Sequence, residues 1–235
     1  MKVEKKSKVQ EGFTLLYEVS RAIVSSRYLE EILSLVVGLT AQLMNSKICS
    51  LMLLDEKKQE LVIKATQSLS EGYRTKPPIK VGESVSGRAV QQKRPITVLD
   101  VTREEGYKYP DIARTEGLRS MISVPMMVKD RVIGVLNCYT AAEHDFAQDE
   151  IRLLVGVANQ AAVAIENTRL LAEKIDAVEA LEVRKKVERA KAILMKRHRM
   201  DEASAYQTLQ KQSMDKRRSL KEIADAIIVS EEIVN

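Results

Sequence analysis

The chain has no tryptophan, two phenylalanines, two cysteines and two histidines among 235 residues. So few thiols exclude a disulfide scaffold. Cys49 and Cys138 lie inside strand-like runs and read as buried, reduced thiols. His144 and His198 stand in charged surroundings without a companion at metal-ligand spacing, so no zinc site is expected. No apolar run approaches the ~20 residues of a membrane helix. The opening MKVEKKSKVQEG is basic but no apolar stretch follows it, so no secretory signal is expected and the cytoplasm is the expected compartment. The sequence lacks GxxxxGK[ST], GxGxxG and GxSxG. Its nearest glycine cluster, Gly82-Glu83-Ser84-Val85-Ser86-Gly87, has neither the lysine nor the preceding strand of a phosphate loop. Acid pairs such as Glu104-Glu105 and Asp149-Glu150 read as surface charge. The chain is therefore read as not an enzyme, and no cofactor is suggested.

Apolar residues make up 45% and charged residues 30%, the balance of a folded domain rather than a disordered chain. The length allows one large domain or two smaller ones. The net charge of +5 is modest but unevenly placed. Arg184 to Lys221 holds 13 Lys+Arg against 4 Asp+Glu, and Glu222 to Asn235 holds 4 acids and no base. Residues 1–183 are consequently neutral. A basic cluster on a neutral protein suits a phosphate-rich partner, with a merely solvated helical face as the alternative.

Beyond a frayed tail over 1–12, Phe13–Val24 and Leu29–Met44 show helical apolar spacing. Lys47–Leu54 and Glu60–Thr66 form a hairpin across a polar turn. Residues 67–80 read as loop, Gly82–Gln92 as a short helix opened by Ser84, and Pro95–Leu99 as a strand. Asp100–Glu116 is a long loop, and Ser120–Met127 with Arg131–Thr140 forms a second hairpin. No glycine or proline follows Val157, so one helix is predicted from Ala147 to about Arg197. Its seam of Ile151, Leu154, Ala158, Ala161, Ile165 and Thr168 continues, with a skip, in Leu171, Ile175 and Val178. This heptad-like pattern predicts pairing with a second copy. Asp201 caps the next helix, on which Ala205, Tyr206 and Leu209 give an apolar face. Ser219 and Glu222 form a capping box for the last. The order predicts an α+β domain followed by a small all-α domain.

The segment from Phe13 to Leu171 resembles a GAF domain. Gly82 to Val90 followed by Lys93-Arg94-Pro95 carries the resemblance, with Arg119 to Met126, Ile133-Gly134-Val135-Leu136, Phe146-x-x-Asp149-Glu150 and Ala158 to Asn167. It implies an antiparallel sheet with flanking helices, often dimeric, and a ligand pocket between the sheet and its covering loops. Residues 172–235 resemble an ANTAR domain, on Val187 to Met195, Asp201-Glu202-Ala203-x-Ala205-Tyr206-x-x-Leu209 and Ser213 to Ala224. Ala192 stands where that family commonly has glycine. The resemblance implies a three-helix domain that binds paired stem-loops in leader RNA and prevents a terminator hairpin from forming.

The RNA-contact candidates are Arg184, Lys191, Ala192, Arg197, Tyr206, Lys216, Arg217, Arg218 and Lys221. Tyr206 either stacks on an unpaired base or packs on Leu194 and Leu209. Leu194, Met195 and Met214 read as core. Pocket candidates are Cys49, Met52, Tyr107, Tyr109, Ile112, Met121 and Tyr139, for a ligand that stays unnamed. The reading is a signal-responsive antiterminator, dimeric through the long helix, with no membrane partner. The alternatives are a factor binding duplex DNA and a ligand-binding or dimerisation module without nucleic-acid activity. A switch through Cys49 and Cys138 is a further, weaker idea.

Overall fold

The computed structural model describes residues 29–234. The expected tail and the Phe13–Val24 helix lie outside the described residues. Two compact units divide between Arg169 and Leu170.

The first unit is built on a six-stranded antiparallel sheet in the order β3-β2-β1-β6-β5-β4. Its strands are β1 (Ile48–Asp55), β2 (Glu60–Thr66), β3 (Ile79–Lys80), β4 (Ile96–Val98), β5 (Met121–Val128) and β6 (Arg131–Tyr139). The β1–β2 turn closes because Asp55 Oδ1 accepts from the Lys57 and Lys58 amides at 3.0 and 3.1 Å. Pro125 is tolerated in β5 because β4 pairs only with Met121–Ser123, so the missing N–H lies past the end of β4.

Strand alternation sends Cys49, Leu51, Ile122, Val124, Leu136 and Cys138 to one face. There they pack against α1 (Leu29–Leu43) and the first turns of α5 (Gln148–His198), through Ile32, Leu33, Val36, Leu154, Ala158, Ala161 and Ile165. The expected long helix is thus present, but the first half of its seam is spent inside its own domain. Beyond Thr168 the apolar residues are exposed, Leu171, Ile175 and Val178 by 59%, 57% and 53%.

The other face meets loops and three short helices, α2 (Glu71–Arg74), α3 (Ser84–Gln92) and α4 (Pro110–Thr115). Helix α2 and strand β3 correct the reading of 67–80 as loop. Ser84 does not cap α3 either. The cap position is Glu83, and Ser84 is the first helical residue at φ +56°. Its hydroxyl instead accepts from the Lys108 amide at 3.2 Å. The glycines of this turn have steric reasons. Gly82 has φ +85°, and a Cβ on Gly87 would stand 2.2 Å from the Lys80 carbonyl oxygen.

The second unit is a three-helix bundle of the end of α5, α6 (Glu202–Lys216) and α7 (Leu220–Val234). Its core holds Val187, Ala190 and Leu194 from α5, Ala205 and Leu209 from α6, and Ile223 and Ala224 from α7. Both predicted caps form. Asp201 accepts from the Ser204 amide at 2.7 Å, and Ser219 and Glu222 exchange amide bonds at 2.8 and 3.2 Å.

Substituting Gly87→Ala overlaps backbone that cannot move aside like a flexible side chain. The expected cost is about 1–3 kcal/mol, read as a lower denaturant midpoint for the first unit. Gly72→Ala, which meets only the Ser70 hydroxyl at 3.9 Å, is the control expected to change little.

Candidate functional site

Two places collect the residues singled out by sequence, one in each unit. In the first, Met121 and Tyr139 are opposite neighbours in register on the loop-covered face. Tyr107 from the covering loop and Ile112 from α4 pack against the same cluster, with Ile48, Tyr73, Val85 and Val98. Met52 and Tyr109 join the adjoining cluster under α3. Cys49 is a correction. It lies three residues from Met52, so alternation points it to the opposite, helix-covered face. There its sulfur is 3.7 Å from Cys138, and burial holds its thiol pKa well above the usual range.

The sequence reading missed the polar part of this face. Ser50, Asn137 and Ser123 are successive cross-strand partners, all fully buried. Asn137 Oδ1 accepts from Ser123 Oγ at 2.7 Å and from Ser86 Oγ of α3 at 3.1 Å, while its Nδ2 has no partner. Ser50 Oγ and Tyr73 Oη share a hydrogen bond of 2.9 Å, and Tyr107 Oη donates to Tyr139 Oη at 3.4 Å. Above them the Lys76 ammonium stands 3.9 Å from the Tyr73 ring centre, 5.8 Å from that of Tyr109 and 5.9 Å from that of Tyr139. Counting two residues along each strand from Met52 and Tyr139 would have found Ser50 and Asn137. Nothing in the sequence pattern marks Tyr73 or Lys76.

In the second unit the charge is divided. Acidic α7 neutralises part of basic α5, through Lys186–Asp225 at 2.7 Å and Arg189–Glu232 at 2.8 Å. Of the candidates, Lys221 pairs with Glu179 at 3.1 Å and Arg197 lies 3.9 Å from Glu231. Lys191 is buried against Glu202 at 2.7 Å and Glu188 at 2.9 Å, which raise its pKa. It ties α5 to α6 and is not the free phosphate contact the sequence suggested. Arg184, Lys216, Arg217 and Arg218 are exposed and make no salt bridge among the described residues, and Ala192 is exposed beside buried Lys191.

Tyr206 is 39% exposed, so the packing position on Leu194 belongs to Ala205 and Leu209. Met195 and Met214 are also on the surface, which corrects their reading as core. The basic residues do not form one patch. Lys216 to Arg218 occupy the α6–α7 turn, at the Glu179 end of the bundle, while Arg197 lies at the other end of the 15-residue α6, roughly 22 Å away at 1.5 Å per residue. Arg217 closes α6 in the left-handed region at φ 51°, a conformation that favours glycine.

A family model of the GAF domain matches residues 26–166, and one of the ANTAR domain matches residues 176–228. The chain belongs to the GAF domain family. An ANTAR domain follows in the same chain. The GAF part is 24% identical over 159 residues to the phosphoenolpyruvate-dependent phosphotransferase system protein of Escherichia coli, covering 68% of this chain and 21% of that one. The GAF domain of a phosphoenolpyruvate-protein phosphotransferase from Coxiella burnetii superposes with a TM-score of 0.64 at 24% identity, covering 70% of this chain and 98% of that one. That likeness is one of fold. The ANTAR part is 40% identical over 63 residues to the transcriptional regulatory protein PdtaR of Mycobacterium tuberculosis, covering 27% of this chain and 31% of that one. The chain thus spans about a fifth and a third of the lengths of these curated relatives. No helix among the described residues is long and apolar enough to cross a membrane.

Half-buried among phenols, the Lys76 ammonium is pushed down to about 7 by desolvation. The rings facing it are Tyr73, Tyr109 and Tyr139, with Tyr107 bonded to Tyr139, and the phenol pKa values of all four lie above their ordinary value; Lys108, over the Tyr109 ring, is held charged by Glu83. An unfolded lysine titrates near 10.4. Between pH 7 and 9 the unfolded chain therefore binds the extra proton, and stability rises with pH. Lys76→Met is expected to flatten that rise and to be the more stable protein at pH 7, as measured by denaturant titration at pH 7, 8 and 9.

Proposed function

We propose that the chain is a transcription antitermination regulator that binds paired stem-loops of a leader RNA through its ANTAR domain, under control of its GAF domain. The observation that carries this reading is the exposed basic turn Lys216-Arg217-Arg218, which makes no salt bridge among the described residues while α7 neutralises the neighbouring cations. The role is regulatory rather than catalytic. Free cations at a helix turn gain by displacing the counterions of a phosphate backbone. Exposed Tyr206, with Ala192 and Met195 also on the surface, offers a stacking plane for a loop base. Duplex DNA is the poorer partner, because α7 carries acids and apolar residues where a major-groove reader carries exposed Arg, Asn or Gln.

Dimerisation belongs to the same proposal. Residues 169–182 of α5 are exposed all round, yet Leu171, Ile175 and Val178 repeat at four and three. A second copy of this segment, packed as a coiled coil, covers that stripe. It also presents two ANTAR domains to two hairpins, which raises the effective concentration of the second contact.

The test is binding to a two-hairpin leader RNA and to matched duplex DNA across a salt series. Tight RNA preference is expected, with a steep fall in affinity as salt rises. Replacing Lys216, Arg217 and Arg218 together by Gln should lower the log–log salt slope by about 2–3. Equal affinity of parent and variant overturns the phosphate role of this turn.

Arg217→Gly separates contact from folding. It relieves the left-handed strain, worth about 1 kcal/mol, so the bundle should melt at the same or a higher temperature while RNA affinity falls. A fall in both means that Arg217 is structural. For the dimer, Ile175→Glu and Val178→Glu together should convert the protein to monomer in analytical ultracentrifugation.

A further inference from the structure

We infer that the loop-covered face of the GAF sheet binds a small carboxylic acid, its carboxylate paired with Lys76 and a second oxygen of the molecule accepting a hydrogen bond from Asn137. The inference rests on the reading of this domain as the sensor and supplies the class of its ligand. Two independent observations on the same face point to it.

The first is a cation without an anion. Lys76 is drawn into a ring of phenols with no carboxylate of the described residues beside it. An ammonium removed from water is costly unless it is paired, and ring faces compensate only part of that cost. The other cation beside these rings, Lys108, is already paired with Glu83 at 2.8 Å.

The second is a donor without an acceptor. Asn137 is fully buried, with its oxygen accepting two hydroxyls and its Nδ2 bonding to nothing. A buried amide hydrogen left unpaired costs about 1–3 kcal/mol, so an incoming acceptor gains from that atom what water cannot supply. Asn137 and Lys76 are joined by a continuous path. Asn137 is the cross-strand partner of Ser50, Ser50 is hydrogen-bonded to Tyr73, and Lys76 stands on the Tyr73 ring.

The chemistry of the ligand follows from these groups. A cationic molecule is disfavoured because Lys76 already occupies the aromatic faces. One ammonium balances one negative charge, which suits a carboxylate. A phosphate group would bring up to two charges into a space with a single cation to meet them. Once the covering segments part, phenol and apolar side chains border a small organic body. The groups that cover the site, Tyr73, Lys76, Tyr107 and Tyr109, all come from segments between strands, so entry requires those segments to part.

The experiment is thermal unfolding of the full chain, followed by calorimetric titration, with a panel of carboxylic acids of two to nine carbons. The matching primary amides and inorganic phosphate are included. At least one acid is expected to raise the melting temperature while its amide and phosphate do not. Lys76→Met should unfold cooperatively without ligand and bind that acid at least tenfold more weakly. Asn137→Asp, which sets a carboxylate where the acceptor should lie, should also weaken binding at least tenfold.

No shift with any acid overturns the inference, as does an equal shift with acid and amide, or with phosphate alone. Unchanged affinity in Lys76→Met overturns it too. The readout does not involve RNA, so absence of RNA binding would remove the antiterminator reading and leave this result standing.

Discussion

The central sheet is covered on both faces, and strand alternation therefore decides nearly everything about the GAF domain. Residues of the central strands meet either the helical layer or the loop layer, while exposed positions such as Lys64, Lys80, Thr97 and Arg131 lie on the outer strands or at strand ends. The helical layer receives a purely apolar set plus two thiols, and it packs as an ordinary core. The loop layer receives serines, an asparagine and tyrosines in alternation with methionine, isoleucine and valine. A fold needs no such polar row at its centre, since each buried hydroxyl or amide must find a partner or destabilise the protein. Most of these groups find partners among themselves. The one that does not is central in the sheet, where no water-exposed edge can reach it.

In the ANTAR bundle the corresponding constraint is charge. Its core is small, seven buried side chains of which three are alanine, so the helices approach closely and ion pairs across them become part of the assembly. Surface pairs of this kind contribute little each, about 0–1 kcal/mol, but they orient α7 and remove positive charge from one side. The acidic C-terminal stretch is therefore the complement of part of the basic one. What remains positive is the α6–α7 turn, whose Lys216, Arg217 and Arg218 make no salt bridge among the described residues. Burying Lys191 with two carboxylates follows the same logic, since a lysine in the core is tolerable only when paired.

Much of this was legible from residues. Hairpin positions, the two caps of the bundle helices and the long α5 follow from period, cap chemistry and the absence of glycine and proline, and these are local properties, whereas Ser84 does not cap α3. The errors have equally physical causes. Placing Cys49 and Met52 in one pocket contradicts a period of two, and alternation alone would have separated them. Of the two readings of Tyr206, stacking or packing on Leu194 and Leu209, the packing one fails because so narrow a bundle admits Ala205 at the contact and sends tyrosine outward. Lys191 looked like a surface charge because one of its acids, Glu202, is eleven residues away and meets it only when α6 folds back. Lys76 sits in a segment with no periodicity, so its place over Tyr73 could be found only in three dimensions.

The seam of α5 shows how one sequence pattern can have two destinations. From Ile151 to Thr168 and from Leu171 to Val178 the spacing of apolar residues is the same, and the pattern by itself predicts one continuous interface. The first half is satisfied inside the domain, because the sheet presents a broad apolar face directly beneath it. The second half is exposed among the described residues, Leu171, Ile175 and Val178 by 59%, 57% and 53%. A helical segment of this length is marginal in water by itself, and leaving its leucine, isoleucine and valine side chains exposed forgoes about 1.5–3 kcal/mol for each that a partner could bury fully. Covering them with a second copy recovers part of that. Residues 169–182, exposed all round, are therefore the stretch of α5 with most to gain from a partner.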